Sequence, residues 1–192
     1  MGGTATSLFE SAKLTAQGPV RWGDSIPSRR PGVYVVEAPS ESWSAPLSRQ
    51  AIEAWIVRVP GMRVDGAPAD AKALGKRLDA FWITSETVVY VGRAGTDVGG
   101  RVRSYYGTPL GDPRPHAGGH WLKTLSNLDQ LRVWWAETDD PVDAEASLLG
   151  AFADRHGVGF LPFANRQDAA GNRKDHGISH STLSRALARS TP

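Results

Sequence analysis

Short runs of β-branched and aromatic residues, bounded by turn residues, occur in three segments of the chain, and each reads as a strand. These are GVYVVEA from Gly32, TVVYVG from Thr87 and QLRVWWAET from Gln130, the last placing Leu131, Val133 and Trp135 on one face. Elsewhere the apolar spacing is helical. Leu8, Phe9 and Leu14 share one face of a short segment, Thr6 to Leu14. Ile52, Trp55, Ile56 and Val59 form a second such set, and Leu74, Leu78, Phe81 and Trp82 a third. Pro60-Gly61 ends the first of these two helices, and Pro68 lies near the start of the other, which predicts a helical hairpin between two strands. Asp140 before Pro141 starts a helix predicted to run to about Arg155, with Val142, Leu148, Leu149 and Phe152 inward and Gly157 at its end. Gly99-Gly100 precedes a short helix over Arg101 to Tyr106, HWLKTL begins another, and a terminal helix is expected near Ser181 to Ala188. The stretches RWGDSIPSRRPG and GTPLGDPRPHAGGH are loops by their glycine and proline content.

A length of 192 residues favours one domain, 1–192, carrying insertions, and 40% hydrophobic with 22% charged residues is enough to build a core. With no cysteine, a disulfide framework, a thiolate zinc site and a cysteine nucleophile are all excluded. Neither a signal-peptide pattern nor an apolar run of membrane length is present, so a cytoplasmic, soluble protein is expected. The net charge of +2 says little, but its distribution says more. Arg93 to Lys123 holds four Arg and one Lys against Asp97 and Asp112, and Arg166 to Arg189 holds four Arg and one Lys against Asp168 and Asp175. Two mildly basic regions, one of them in the tail at 166–192, suit a polyanion; a solvated basic surface is the plainer alternative.

Gly32-Val33-Tyr34 opens the first strand and Tyr90-Val91-Gly92 lies in the second. Arg101 follows early in the next helix, Glu145 on a later helix and Asn165 near the end. Residues in this order resemble the GIY-YIG nucleases, with valine for isoleucine in both motifs. That family includes homing endonucleases, some restriction enzymes and the repair subunit that makes the 3′ incision. All four tyrosines of the chain, Tyr34, Tyr90, Tyr105 and Tyr106, fall in the matching regions. The resemblance covers roughly Pro31 to Asn165. It implies an α+β fold, a small three-stranded antiparallel sheet flanked by helices, with the helical hairpin at about 40–86 inserted where the family has a short connection. That insert is read as a decoration rather than a lid.

Cleaving a phosphodiester needs an attacking water, stabilisation of charge on the phosphorus oxygens, and help for the leaving alkoxide. By the resemblance, Glu145 is the carboxylate ligand of one Mg²⁺ or Mn²⁺ and Arg101 holds the scissile phosphate. Arg101 is suited to this because its planar fork matches phosphate oxygens at any working pH. The resemblance makes Tyr90 the general base with Tyr34 beside it. A phenol with an ordinary pKa near 10 needs positive neighbours to act this way. Arg93, just after the strand, is assigned to phosphate contact. Tyr105 shares a helical face with Arg101 four residues earlier and lines the substrate site. His120 touches a phosphate or the leaving group, and Asn165 supports the site by bonding backbone or neighbouring groups. The glycines after Val91 let a phosphate approach the backbone. DNA is the expected partner, with 5′-phosphate and 3′-hydroxyl products, and a homodimer suits cuts on both strands of a duplex. RNA or modified or damaged DNA stays open, since such residues touch phosphates rather than bases. So does a binding module that keeps the fold without catalysis.

Competing motifs are weak. The glycines at 92, 95, 99 and 100 spell neither a P-loop nor a dinucleotide fingerprint. His116 and His120 have zinc-like spacing, but Gly118-Gly119 interrupts any helix there. GISHSTLSRAL resembles the second half of a helix-turn-helix without a first helix. The seven tryptophans fit a core better than base stacking.

Overall fold

A computed structural model describes residues 3–112, 119–168 and 177–180. The expected terminal helix at Ser181 to Ala188, most of the basic tail, and His116 lie outside the described residues. The fold is α+β. Five α-helices run in the order α1 (Ala5–Ser11), α2 (Arg49–Arg58), α3 (Ala71–Asp79), α4 (Val98–Gly107) and α5 (Pro141–His156) among the described residues. The strands are β1 (Gln17–Arg21), β2 (Gly32–Glu37), β3 (Met62–Val64), β4 (Ala67–Pro68), β5 (Val88–Ala94), β6 (Arg132–Glu137) and β7 (Ile178–His180).

The three expected strands, β2, β5 and β6, are adjacent and antiparallel, but the sheet has a fourth member, in the order β1-β6-β2-β5. β2 sits inside it because all five residues from Gly32 to Val36 can be buried from both faces. One face carries Val33, Val35, Val88, Val91 and Ala136 against α1 and α5 through Leu8, Phe9, Leu148 and Phe152. The other carries Tyr34, Val36, Tyr90, Val133 and Trp135 against α4, the insert helices and Trp121. Each helix start has a side-chain cap: Thr4, Ser48, Asp70, Asp97 and Asp140 each accept from a backbone N–H in the first turn. On α5 the inward stripe is Pro141, Ala144, Leu148, Leu149 and Phe152, whereas Val142, expected inward, is 52% exposed.

The segment between β2 and β5 differs from a plain helical hairpin. Between α2 and α3 it contains the β3–β4 hairpin, turned by Asp65 and Gly66 with φ of 50° and 80°. Positive φ at both central residues is what a two-residue hairpin of matching twist requires, and Asp-Gly supplies it. β7 pairs with the free side of β3, making a second, three-stranded sheet. The segment leaves and re-enters the main sheet at neighbouring points, where Ala38 N–H donates to the Thr87 carbonyl at 2.8 Å. It is nevertheless fused to the body. Ile52, Trp55, Leu74 and Leu78 share one core with Tyr34, Trp121 and Leu125, and Ser48 N–H donates to the Thr124 carbonyl. No described helix is long and apolar enough to cross a membrane.

Candidate active site at the edge of the main sheet

β5 is an outer strand, so side chains from both faces of the sheet can meet around its edge. On one face Tyr90 and Tyr34 lie with ring centroids 5.9 Å apart, and their hydroxyls are hydrogen bonded. Tyr105 of α4 continues the row at 5.5 Å from Tyr90, and Trp22 packs edge-on to both Tyr105 and Tyr106 at 5.0 and 4.8 Å. All four tyrosines are therefore joined through one aromatic row. Trp22 is its fifth member, hidden in the sequence within a turn-rich stretch.

Gly92 is needed for this row. A Cβ there would lie 2.6 Å from Tyr34 Cζ and 2.8 Å from Tyr90 Cε1. The glycine of Tyr90-Val91-Gly92 thus makes room for tyrosines rather than for a phosphate. Gly99 likewise packs on backbone, its absent Cβ falling 2.5 Å from the Ser28 carbonyl oxygen. Both observations replace the expectation that these glycines admit a ligand.

Arg101, in the first turn of α4, acts electrostatically on Tyr34, Tyr90 and Glu145 together. Glu145 projects from the second turn of α5 toward the same edge, with 18% of its side chain exposed. Arg93, on the α5 side of β5, meets it through Nε at 3.3 Å from Glu145 Oε2. Beside these residues lies an open groove of about 570 Å³ lined by Arg93, Thr96, Asp97, Gly100, Arg101 and Ser104. Its wall is polar, and the Asp97 carboxylate is already engaged, accepting from Gly100 N–H at 2.8 Å as the cap of α4.

The electrostatics oppose a free base. Burial pushes the Tyr90 phenol up to about 12, and the Glu145 charge adds to the rise. Two neighbours act the other way: the Tyr34 hydroxyl, which donates to Tyr90, and the Arg101 cation. Burial also raises Tyr34 well above the ordinary phenol range. The Glu145 carboxyl is raised by burial and drawn back by Arg93 and Arg101.

Two expected contacts are placed differently. Tyr105 does not line a substrate site: it is fully buried, and its hydroxyl donates to the Gly119 carbonyl. That bond holds Gly119 at the start of the 3₁₀ turn at His120–Thr124. Lys123 of that turn, missed in the sequence, donates to the Tyr105 and Tyr106 carbonyls at 2.8 and 3.2 Å and to the Thr108 carbonyl, closing the end of α4. Arg93 does not stand free for a phosphate, because it pairs with Glu145. His120 is buried, 7% exposed, next to the Gly119 residue that lies over Tyr90 and Tyr105. Asn165 bonds backbone, as expected of a supporting residue. Its amide accepts from Val91 N–H and donates to the Val91 carbonyl, both at 2.9 Å, fixing the strand between Tyr90 and Gly92.

Among the described residues no three His, Asp or Glu side chains come together as a metal cluster. A single carboxylate still suits a hard ion that keeps most of its waters, and Glu145 meets Arg93, which lines the groove. No known protein family, curated protein or solved structure matches this chain.

Proposed function

We propose that this chain is a metal-dependent endonuclease of the GIY-YIG type, hydrolysing phosphodiester bonds of DNA. The observation that carries the reading is convergence. Tyr34, Tyr90, Arg101 and Glu145 come from β2, β5, α4 and α5, yet they interact at one strand edge beside an open polar groove. A Mg²⁺ or Mn²⁺ ion on Glu145 supplies Lewis acidity to the phosphate and charge neutralisation for the leaving oxygen. Arg101 clamps the phosphate from the first turn of α4. Tyr90 acts as the phenolate, steadied by the Tyr34 hydroxyl that donates to its oxygen, and it returns to the neutral phenol as it takes the proton of the attacking water. Neutralising the Glu145 charge also removes one of the two causes that raise the Tyr90 phenol. Asn165 and Gly92 keep the two tyrosines in register.

One observation favours a second reading, a nucleic-acid-binding module without catalysis: the Glu145 carboxylate is already paired with Arg93. Incubating the protein with supercoiled plasmid, single-stranded DNA and RNA in Mg²⁺, Mn²⁺ or EDTA separates the two. Metal-dependent cutting lost in Glu145→Ala and Arg101→Ala is expected. Tight binding without cutting in any metal would move the assignment to the binding module.

A further inference from the structure

The Arg93–Glu145 contact has an unusual setting. Glu145 is mostly buried, with 18% of its side chain exposed, so its charge needs a partner. Arg93 is 43% exposed and reaches Glu145 through Nε, from a strand residue that also lines the groove. One side chain therefore has two stations within reach, the carboxylate and the groove where Arg101 lies. Resting on the nuclease reading above, we propose that Arg93 is the resident counter-cation of Glu145, and that a divalent ion must displace it into the groove, where it meets the substrate phosphate.

The exchange leaves neither anion without a cation. A guanidinium leaves the carboxylate as a cation arrives, and the groove gains a positive charge when a phosphate has to be bound there. An Arg is suited to both stations, since its fork matches carboxylate and phosphate oxygens alike. Metal and nucleic acid then bind with positive coupling, because each stabilises the Arg93 position that the other requires. Arg93 is thus a positioning residue in the resting protein and a phosphate ligand only in the loaded one.

Mn²⁺ titration followed by the electron paramagnetic resonance signal of the free ion, at pH 7.5 and without nucleic acid, tests this directly. Arg93→Gln should bind Mn²⁺ about three- to tenfold more tightly than the wild type, because an ion pair no longer competes. Glu145→Gln should lose the site. Arg93→Lys, which keeps the charge, should stay near the wild type. Equal or weaker Mn²⁺ binding in Arg93→Gln overturns the exchange. Plasmid cleavage run in parallel separates the two proposals. Cutting by the wild type together with unchanged Mn²⁺ affinity in Arg93→Gln rejects the exchange and keeps the nuclease. Neither cutting nor Mn²⁺ binding by the wild type rejects both.

Discussion

β5 and α5 are pinned together at two places, and the two differ in kind. At the start of the strand, Glu86 is 3% exposed and completely engaged. Its Oε1 accepts from Thr87 and Val88 N–H at 2.7 Å each, and its Oε2 faces His156 Nε2 at 2.6 Å. At the other end, Glu145 has one arginine partner, a neighbouring second arginine and an open groove alongside. Both are carboxylates that meet a basic side chain, Glu86 from just before β5 reaching α5 and Glu145 from α5 reaching β5. The first has one oxygen on two backbone amides and the other on His156; the second meets a side chain that is 43% exposed. Under the proposed function, the exposure of that partner, rather than burial or pairing, is what sets the second acid apart.

The largest effects should come from exchanging the roles of these two glutamates. Glu86→Ala orphans two strand amides and His156, and is expected to cost about 3–5 kcal/mol, read from denaturant unfolding. Cleavage by the remaining folded protein should be unchanged. Glu145→Ala should do the opposite, lowering the cleavage rate by about 10²-fold or more while the melting temperature moves little. If the Glu145 variant instead unfolds and the Glu86 variant stops cutting while folded, the contrast between the two ends is wrong.

Gly92→Ala sharpens the comparison at the open end. Its Cβ must push Tyr34 and Tyr90 apart, which should cost about 1–3 kcal/mol. Activity should fall beyond what the loss of folded protein explains, measured as cleavage per folded molecule. A variant with normal stability and normal rate would show that the tyrosine spacing is irrelevant.

A graded effect is expected from pH. Tyr90 must be ionised to act as a base, and its phenol is raised to about 12, so it is mostly protonated at neutral pH. The cleavage rate should therefore climb about tenfold per pH unit between pH 7 and 9, where a plateau would exclude Tyr90 as the base. The same shifts bear on stability. All four tyrosines are raised above the ordinary phenol value, each chiefly by burial. For raised groups the stabilisation is whole below the unfolded value near 10 and is lost as pH rises through the folded values. Tyrosinate absorbance near 295 nm should stay low to pH 10 and then appear together with unfolding. A smooth titration centred at 10 in the folded protein would contradict the buried row.

How much of this was legible in the sequence depended on how local the signal is. β2, β5 and β6 were readable because short β-branched and aromatic runs are a local signal, and α5 because Asp140-Pro141 and Gly157 mark its ends. β1 was not, since Gln17–Arg21 contains Gly18 and Pro19 and buries almost nothing. The β3–β4 hairpin carried a signal that was passed over, the Asp65-Gly66 turn, but strands of three and two residues have too few positions to show a period. β7 depends on a distant partner. In the candidate site, Tyr34, Tyr90, Arg101 and Glu145 do converge, and the support from Asn165 fell where the chain order suggested. The partners that Tyr105 and Arg93 take in the fold were not legible, for a shared reason. Residue type and helical face fix which way a side chain starts, while its partner is chosen by elements far away in sequence: Gly119 for one, Glu145 for the other. Gly92 and Gly99 were misjudged likewise, because what fills the space at a glycine is invisible to spacing, whereas Gly95 and Gly100 do line the groove.

The bonds that Asn165 makes to Val91 have a consequence for assembly. With Ala164 N–H donating to the Val89 carbonyl at 2.9 Å as well, the outward amide and carbonyl groups in the middle of β5 are already spoken for. A second molecule cannot add a strand there, and a continuous sheet through two copies cannot grow from that side. Any pairing of two copies would have to use another surface.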